Sequence, residues 1–340
     1  MRVLFIQPDC RQYRVKLFEE LSRSLKGTEL LHFGPRKFSE SKELQEINAS
    51  KFNFRKFHWV SGLYKIVKNY DTVVVGFDPH WLNIFFLSVF FRKKIIYWGH
   101  GTSKTQYLNS LRRFVGRRAR AIVTYDENGK ADIIKLGIDP DRVFVANNTQ
   151  FVSNSENLSS ETKDCFVFVG RIQPRKRIED FIAAFALVRH KLPKQLRIVI
   201  IGDGDHRSVL KSIAIKLGVE NYVEFVVGTT EEEDLKTYFS KAYAYVSPGH
   251  VGLGVLHSFA YGVPVITYKG DHHAPEYSNI LQAVTGILVR PNVPDLAEAL
   301  VSVVKDENYK MLGHNAYVHY QENRKISQMV NAFQNAINTG

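Results

Sequence analysis

The sequence predicts an α/β protein built from two doubly wound, Rossmann-like domains with parallel sheets. Three observations carry this reading. Short runs rich in Val and Ile recur along the whole chain without strict polar alternation, as strands buried on both faces of a parallel sheet do. Helix-length segments separate these runs and supply the crossovers that parallel strands need. At 340 residues the chain exceeds one ordinary core and suits two domains of about 150 to 180 residues each.

In the first half the predicted strands are Val3–Gln7, Leu30–Phe33, Thr72–Gly76, Lys94–Tyr97, Ala121–Tyr125 and Val143–Ala146. Trp81–Phe91 is the longest apolar stretch, with Arg92, Lys93 and Lys94 after it. It is about half the length of a bilayer span and reads as a buried helix. The polar stretch Ser153–Lys163 reads as a linker. In the second half the strands are Cys165–Gly170, Leu196–Gly202, Val223–Val227, Ala244–Ser247, Val265–Tyr268 and Gly286–Val289, with helices such as Glu179–Arg189 and Arg207–Leu217 between them. The segment from Asn308 to Thr339 reads as helical. The predicted division is a domain over 1–152, a linker over 153–163, a domain over 164–310 and a terminal helix over 311–340.

A hydrophobic content of 44% and a charged content of 24% describe a globular chain and exclude a disordered one. Cys10 and Cys165 form neither a disulfide framework nor a zinc site, which fits a reducing compartment. Met1 to Pro8 reads as a strand and not as a secretory leader, so a cytoplasmic location is expected. The net charge of +12 sits entirely on residues 1–150, which hold 26 Lys/Arg against 14 Asp/Glu. Such a basic half attracts phosphates. No recognition motif accompanies it, which argues against nucleic acid as the partner. Arg112, Arg113, Arg117, Arg118 and Arg120 interleave with Leu108, Leu111, Phe114 and Val115. This basic amphipathic pattern suggests peripheral docking on an anionic membrane surface, with a solvated helix face as the alternative.

Four strand ends carry the chemistry. The first is Val167-Phe168-Val169-Gly170-Arg171, followed by Lys176. Ligands of open α/β sheets bind at the carboxyl ends of strands, where Gly lets the backbone approach, Arg grips a phosphate with two N–H groups and Lys adds a point charge. A solvated basic loop is the alternative, given Arg175 and Arg177 beside them. The second is Ile201-Gly202-Asp203-Gly204-Asp205, a turn that lines the same cleft or simply caps a helix. The third is Ser247-Pro248-Gly249-His250-Val251-Gly252-Leu253-Gly254, a glycine loop feeding a helix N-terminus, which favours anions. The fourth is Trp98-Gly99-His100-Gly101, whose glycines expose an imidazole at a strand's edge. There is no group of carboxylates flanking a short spacer to hold a metal on a diphosphate.

In order and spacing these motifs resemble the retaining, GT-B-fold glycosyltransferases of family 4. Ala260-Tyr261-Gly262-Val263-Pro264-Val265-Ile266, Pro275-Glu276 and Thr285-Gly286-Ile287-Leu288-Val289 complete the likeness, which is specific over residues 165–300 and looser over 1–150. The resemblance implies two Rossmann-like domains facing a central cleft. It also implies a nucleotide-sugar donor of UDP or GDP type as co-substrate, no cofactor and no metal. The acceptor it implies is a glycan or lipid-linked glycan, and it places the enzyme in the cytoplasm, peripheral on the inner face of the membrane. By the same resemblance His100, Arg171 and Lys176 are catalytic. Gly170, Gly202, Gly249, Val251, Gly252, Leu253, Gly254, His257 and Glu276 bind the donor, and Asp9, Tyr13 and Arg14 the acceptor. The family's two glutamates, eight positions apart, are replaced by Gly249 and His257; His257 either takes over the ribose contact or packs under the loop and touches no ligand. The first strand is followed by Pro8-Asp9-Cys10-Arg11-Gln12-Tyr13-Arg14 where the family commonly has paired glycines. A non-catalytic sugar-nucleotide-binding protein is the alternative.

Overall fold

The computed structural model describes residues 1–7, 12–33, 39, 44–102, 105–159, 162–228, 232–270 and 273–339. The chain forms two units, Met1–Phe151 with Lys325–Gly340, and Val152–Arg324.

In unit 1 the strands are β1 (Val3–Ile6), β2 (Thr28–His32), β3 (Gln45–Asn48), β4 (Lys51–Phe54), β5 (Phe57–Val60), β6 (Thr72–Gly76), β7 (Ile95–Gly99), β8 (Ala121–Thr124) and β9 (Val143–Val145). Seven form one sheet in the order β3-β2-β1-β6-β7-β8-β9, every pair parallel, and β4 and β5 form a separate antiparallel ribbon. Successive side chains of a strand point to opposite faces. Leu4 and Ile6 accordingly enter one core with Val73, Val75 and Tyr97, while Val3 and Phe5 enter another with Val74, Ile96 and Val123. Burial on both faces explains the near-continuous apolar runs.

In unit 2 the strands are β10 (Cys165–Val169), β11 (Arg197–Ile201), β12 (Val223–Val226), β13 (Ala242–Val246), β14 (Val265–Tyr268) and β15 (Gly286–Val289). They form one parallel sheet in the order β12-β11-β10-β13-β14-β15. In each sheet the order reverses once, between β1 and β6 and between β10 and β13. Carboxyl ends at such reversals are where open α/β sheets leave a crevice for a ligand.

Four features differ from the sequence expectation. The C-terminal helical segment is two helices. Asn308–Asn323 sends Tyr309, Ala316 and Tyr320 into the unit 2 core, whereas Ile326–Asn338 sends Met329, Val330, Phe333 and Ile337 into unit 1. The break falls at Lys325, whose backbone is extended. The stretch 153–163 packs on unit 2 instead of hanging free. Glu156 N and Leu158 N bond the carbonyls of Ala260 and Tyr261, and Leu158 is buried. The apolar stretch 81–91 holds two short helices, Leu82–Phe85 and Leu87–Phe90, that meet at Phe86. Finally, β3 and the β4–β5 ribbon had no counterpart in the predicted strands.

Candidate active site

In unit 2, β10 runs into Gly170 and Arg171, β11 into Gly202 and Asp203, and β13 into Ser247 to His250. Ile172 N donates to Asp203 O at 2.9 Å, lacing the first two turns together. The fit requires glycine at 202, because φ is +150° and a Cβ there would strike the Gly170 carbonyl. Beside these turns lies a cavity of about 730 Å3, lined by Arg171, Gln173, Arg175, Asp203, Asp205 and His206 among others. Arg171 is exposed there. Among the described residues its guanidinium makes no hydrogen bond or ion pair, so its donors are available to a ligand.

Lys176 sits deeper. Its Nζ donates to the His250 carbonyl at 2.6 Å, and the backbones interlock as Gly249 N bonds Lys176 O and His250 N bonds Arg175 O, each at 2.9 Å. Burial, and then the charge of Arg175, push the Lys176 ammonium down from 10.5 to about 8, while Glu276 acts in the opposite direction. Burial and then the charges of Lys176 and Arg175 also lower the His250 imidazole. Positive charge is thus concentrated at the end of β13. Gly249 is buried there, and a Cβ on it would strike the Arg175 carbonyl and the Lys176 backbone. Position 249 therefore has no room for a side chain.

Val251 is buried, and its N–H donates to His273 Nδ1 at 3.2 Å. Gly252, Leu253 and Gly254 are half-buried and lead into the helix Gly254–Ala260. Glu276 is buried in the turn Pro275–Asn279. His257 departs from expectation. It is 3% exposed, packed against the rings of Phe239 at 5.4 Å and Tyr261 at 5.6 Å, with Nε2 3.9 Å from Glu232 Oε1. Desolvation lowers its pKa to about 4. An imidazole so enclosed belongs to the core beneath the loop and does not reach a ribose. The helical spacing puts residue 257 on the inner face of its helix, and the apolar flanks Val255, Leu256 and Phe259 carried that signal.

In unit 1 a cavity of about 280 Å3 opens at the carboxyl ends of β6 and β7, lined by Gly76, Phe77, Asp78, Trp98, His100 and Tyr125 among others. His100 reaches the surface, with its ring 4.9 Å from that of Tyr125. Desolvation by the walls lowers its pKa; Asp126 opposes this, and Arg112 and Arg14 add to it. This favours the neutral imidazole, which can donate one hydrogen bond and accept one. Arg14 lies behind the wall, its guanidinium 4.3 Å from the Trp98 ring, donating to Tyr13 Oη at 3.2 Å and Tyr125 Oη at 3.1 Å. Tyr13 is half-buried beside it, and Asp9 lies outside the described residues.

Arg112 also lines this cavity, which sequence reasoning missed by grouping it with its neighbouring arginines. Several of those arginines hydrogen-bond within the unit, while Arg113 and Arg117 are exposed. Arg112 donates to the carbonyls of Gly101 and Phe77, Arg117 to Gly137 O, and Arg120 to Thr339 O and Thr72 Oγ1. Arg118 lies 3.7 Å over the Phe114 ring.

Two Rossmann-like units, each with a cavity at its strand ends, and a cationic corner on the second make up the α/β chain. Comparison makes this specific. Residues 149–319 match the family described as glycosyl transferases group 1, and the chain belongs to it. An uncharacterized glycosyltransferase of Methanocaldococcus jannaschii is 30% identical over 182 residues, 50% of this chain and 45% of that protein. A GDP-mannose-dependent alpha-(1-6)-phosphatidylinositol monomannoside mannosyltransferase of Mycobacterium tuberculosis is 24% identical over 62% of this chain and 54% of that protein. The chain thus spans about half the length of these curated relatives. Among solved structures, Anabaena HepE in complex with UDP superimposes with a TM-score of 0.76 at 15% identity, covering all of both chains. A glycosyltransferase from Rickettsia africae gives 0.77 at 15% identity, over 100% of this chain and 99% of that one. The fold is that of GT-B glycosyltransferases.

Proposed function

We propose that this chain is a retaining, family 4 glycosyltransferase that moves a hexosyl group from a nucleotide sugar to a glycan or lipid-linked glycan without a metal. The observation that carries the reading is the corner at the ends of β10 and β13. An uncommitted Arg171 and a Lys176 short of counter-charge suit a diphosphate better than any neutral ligand. As the bond between the anomeric carbon and the diphosphate breaks and the acceptor oxygen bonds that carbon, both cations hold the charge that develops on the leaving group. In this reading Gly170, Gly202 and the loop 249–254 bring backbone against the donor, Glu276 sets the charge of Lys176, and neutral His100 hydrogen-bonds the sugar. Tyr13, Arg14 and Asp9 belong to the acceptor side.

Among the described residues no three His, Cys, Asp or Glu side chains gather in a way that would hold a metal ion. The GDP-mannose-dependent relative and the UDP-bound neighbour favour a GDP or UDP donor. For the membrane, no described helix is long and apolar enough to cross a bilayer. The β4–β5 ribbon is a stronger docking element than the arginine helix. Phe52, Phe54 and Trp59 stand exposed on it among Lys51, Arg55 and Lys56, the pairing of aromatic and basic residues that interfacial segments use. This supports peripheral attachment on the cytoplasmic face.

One observation favours a second reading, a non-catalytic nucleotide-sugar binder: neither position of the glutamate pair presents a group to the donor. A transfer assay in excess EDTA decides between them. Product with retained configuration, lost in Arg171→Ala and Lys176→Ala, supports the enzyme; donor binding without turnover across a panel of nucleotide sugars and glycan acceptors supports the binder.

A further inference from the structure

The unit 1 cavity carries an unmet demand for acceptors of hydrogen bonds. Among the described residues, three buried donors in or against its wall have no partner: Arg14 Nη1, Trp98 Nε1 and Arg112 Nε. Arg14 is 8% and Trp98 4% exposed, so solvent does not satisfy them in bulk. Among the described residues no carboxylate pairs with Arg14, whose hydrogen bonds go to the tyrosine hydroxyls of Tyr13 and Tyr125. A buried arginine without an acid is costly, because its charge and its N–H groups both lose water. Arg112 donates from Nη1 and Nη2 to two carbonyls, which leaves its Nε unmet, and Asp78 offsets part of its charge. The carboxylate in the lining is Asp78, and its Oδ1 already accepts from His80 N at 2.9 Å and His80 Nδ1 at 2.7 Å. The neutral imidazole of His100 adds no charge.

A neutral sugar would quiet the orphan donors and leave the Arg14 charge unmatched and that of Arg112 only partly offset by Asp78. An oxyanion does both. We propose that this cavity is an oxyanion subsite of the acceptor, so that the acceptor is an acidic glycan bearing a phosphate or carboxylate. The inference rests on the glycosyltransferase reading above. At about 280 Å3 the cavity lies at the small end of ligand sites and takes one acidic sugar residue, leaving the rest of the acceptor outside.

The test uses the full chain and three probes: glucose 6-phosphate, glucuronate and glucose, titrated by calorimetry and by tryptophan fluorescence, since Trp81 and Trp98 both line the cavity. At least one acidic sugar should bind about tenfold or more tighter than glucose, weaken with added salt, and lose that advantage in Arg112→Gln and Arg14→Gln. The tighter of the two identifies the group as phosphate or carboxylate. The comparison of charged with neutral sugar needs only the parent protein, so a variant that fails to fold does not blunt it. Equal affinity for all three probes, or no binding by any, while UDP or GDP binds normally, overturns the inference and leaves the enzyme reading standing. Competition of UDP or GDP against the acidic sugar also overturns it, because the oxyanion seat then belongs to the donor. If neither the nucleotides nor the acidic sugars bind, both readings fall.

Discussion

Replacing Lys176 with Met separates a lysine held for a ligand from one held for the fold. Moving a lysine from 10.5 to about 8 disfavours its charged form by about 3 kcal/mol. A lysine depressed in this way is charged in the folded chain only below about 8, whereas the unfolded chain keeps the proton to about 10.5. The penalty is therefore fully present below pH 8 and relieved as pH rises between those values. Lys176→Met removes the penalty at pH 7 and strands the His250 carbonyl, a loss of about 1 kcal/mol. Thermal unfolding should show a variant at least as stable as the parent, by about 1 to 2 kcal/mol. Nucleoside diphosphate affinity, measured by calorimetry with UDP and GDP, should fall about 10- to 100-fold, the effect of one charge-assisted hydrogen bond. In the parent, that affinity should hold from pH 7 to about 8 and weaken above, as Lys176 loses its proton, while Lys176→Met shows no such fall. A variant destabilised by several kcal/mol with unchanged affinity would refute the reasoning.

Gly249→Glu restores the family residue but drives a Cβ into the Arg175 carbonyl, so thermal unfolding should show a loss of about 2 to 4 kcal/mol and calorimetry a loss of donor binding. His257, depressed to about 4, remains neutral in the folded chain while the unfolded chain takes a proton near 6.5. Its contribution is complete above pH 6.5 and declines by about 3 kcal/mol as pH falls to 4; His257→Phe should flatten that acid limb of a stability-against-pH curve without changing donor affinity. On the β4–β5 ribbon, Phe52→Ser with Phe54→Ser should cut co-sedimentation with anionic vesicles about tenfold or more at low salt and leave thermal stability within about 0.5 kcal/mol.

The parallel sheets were legible because burial on both faces leaves runs such as Val-Val-Val and Ile-Val-Ile-Ile that have no other use in a globular chain. The ribbon Lys51–Val60 escaped because its strand Lys51–Phe54 is exposed throughout, so no burial pattern marks it. The edge strand Gln45–Asn48 pairs on one side alone and has a single aliphatic residue, Ile47. At the end of the strand Cys165–Val169, the place of Arg171 and Lys176 beside the turn was legible because a strand-end glycine fixes where following side chains emerge. The role of Arg112 was not, since its position comes from tertiary packing of the helix Gln106–Gly116 under the end of β7. For His257, family position identifies a residue's place in the chain, whereas tertiary packing against Phe239 and Tyr261 decides whether its ring faces a ligand or the core.

The most direct test of the central claim is release of nucleoside diphosphate from a panel of UDP- and GDP-sugars, followed with the parent chain and Arg171→Ala in parallel. The account predicts turnover of at least one nucleotide sugar by the parent, faster when an acceptor glycan is added, and a fall of about 30-fold or more in Arg171→Ala, whose exposed guanidinium has no other work in the fold. Turnover unaffected by Arg171→Ala, or no turnover of any donor by either protein, would contradict it.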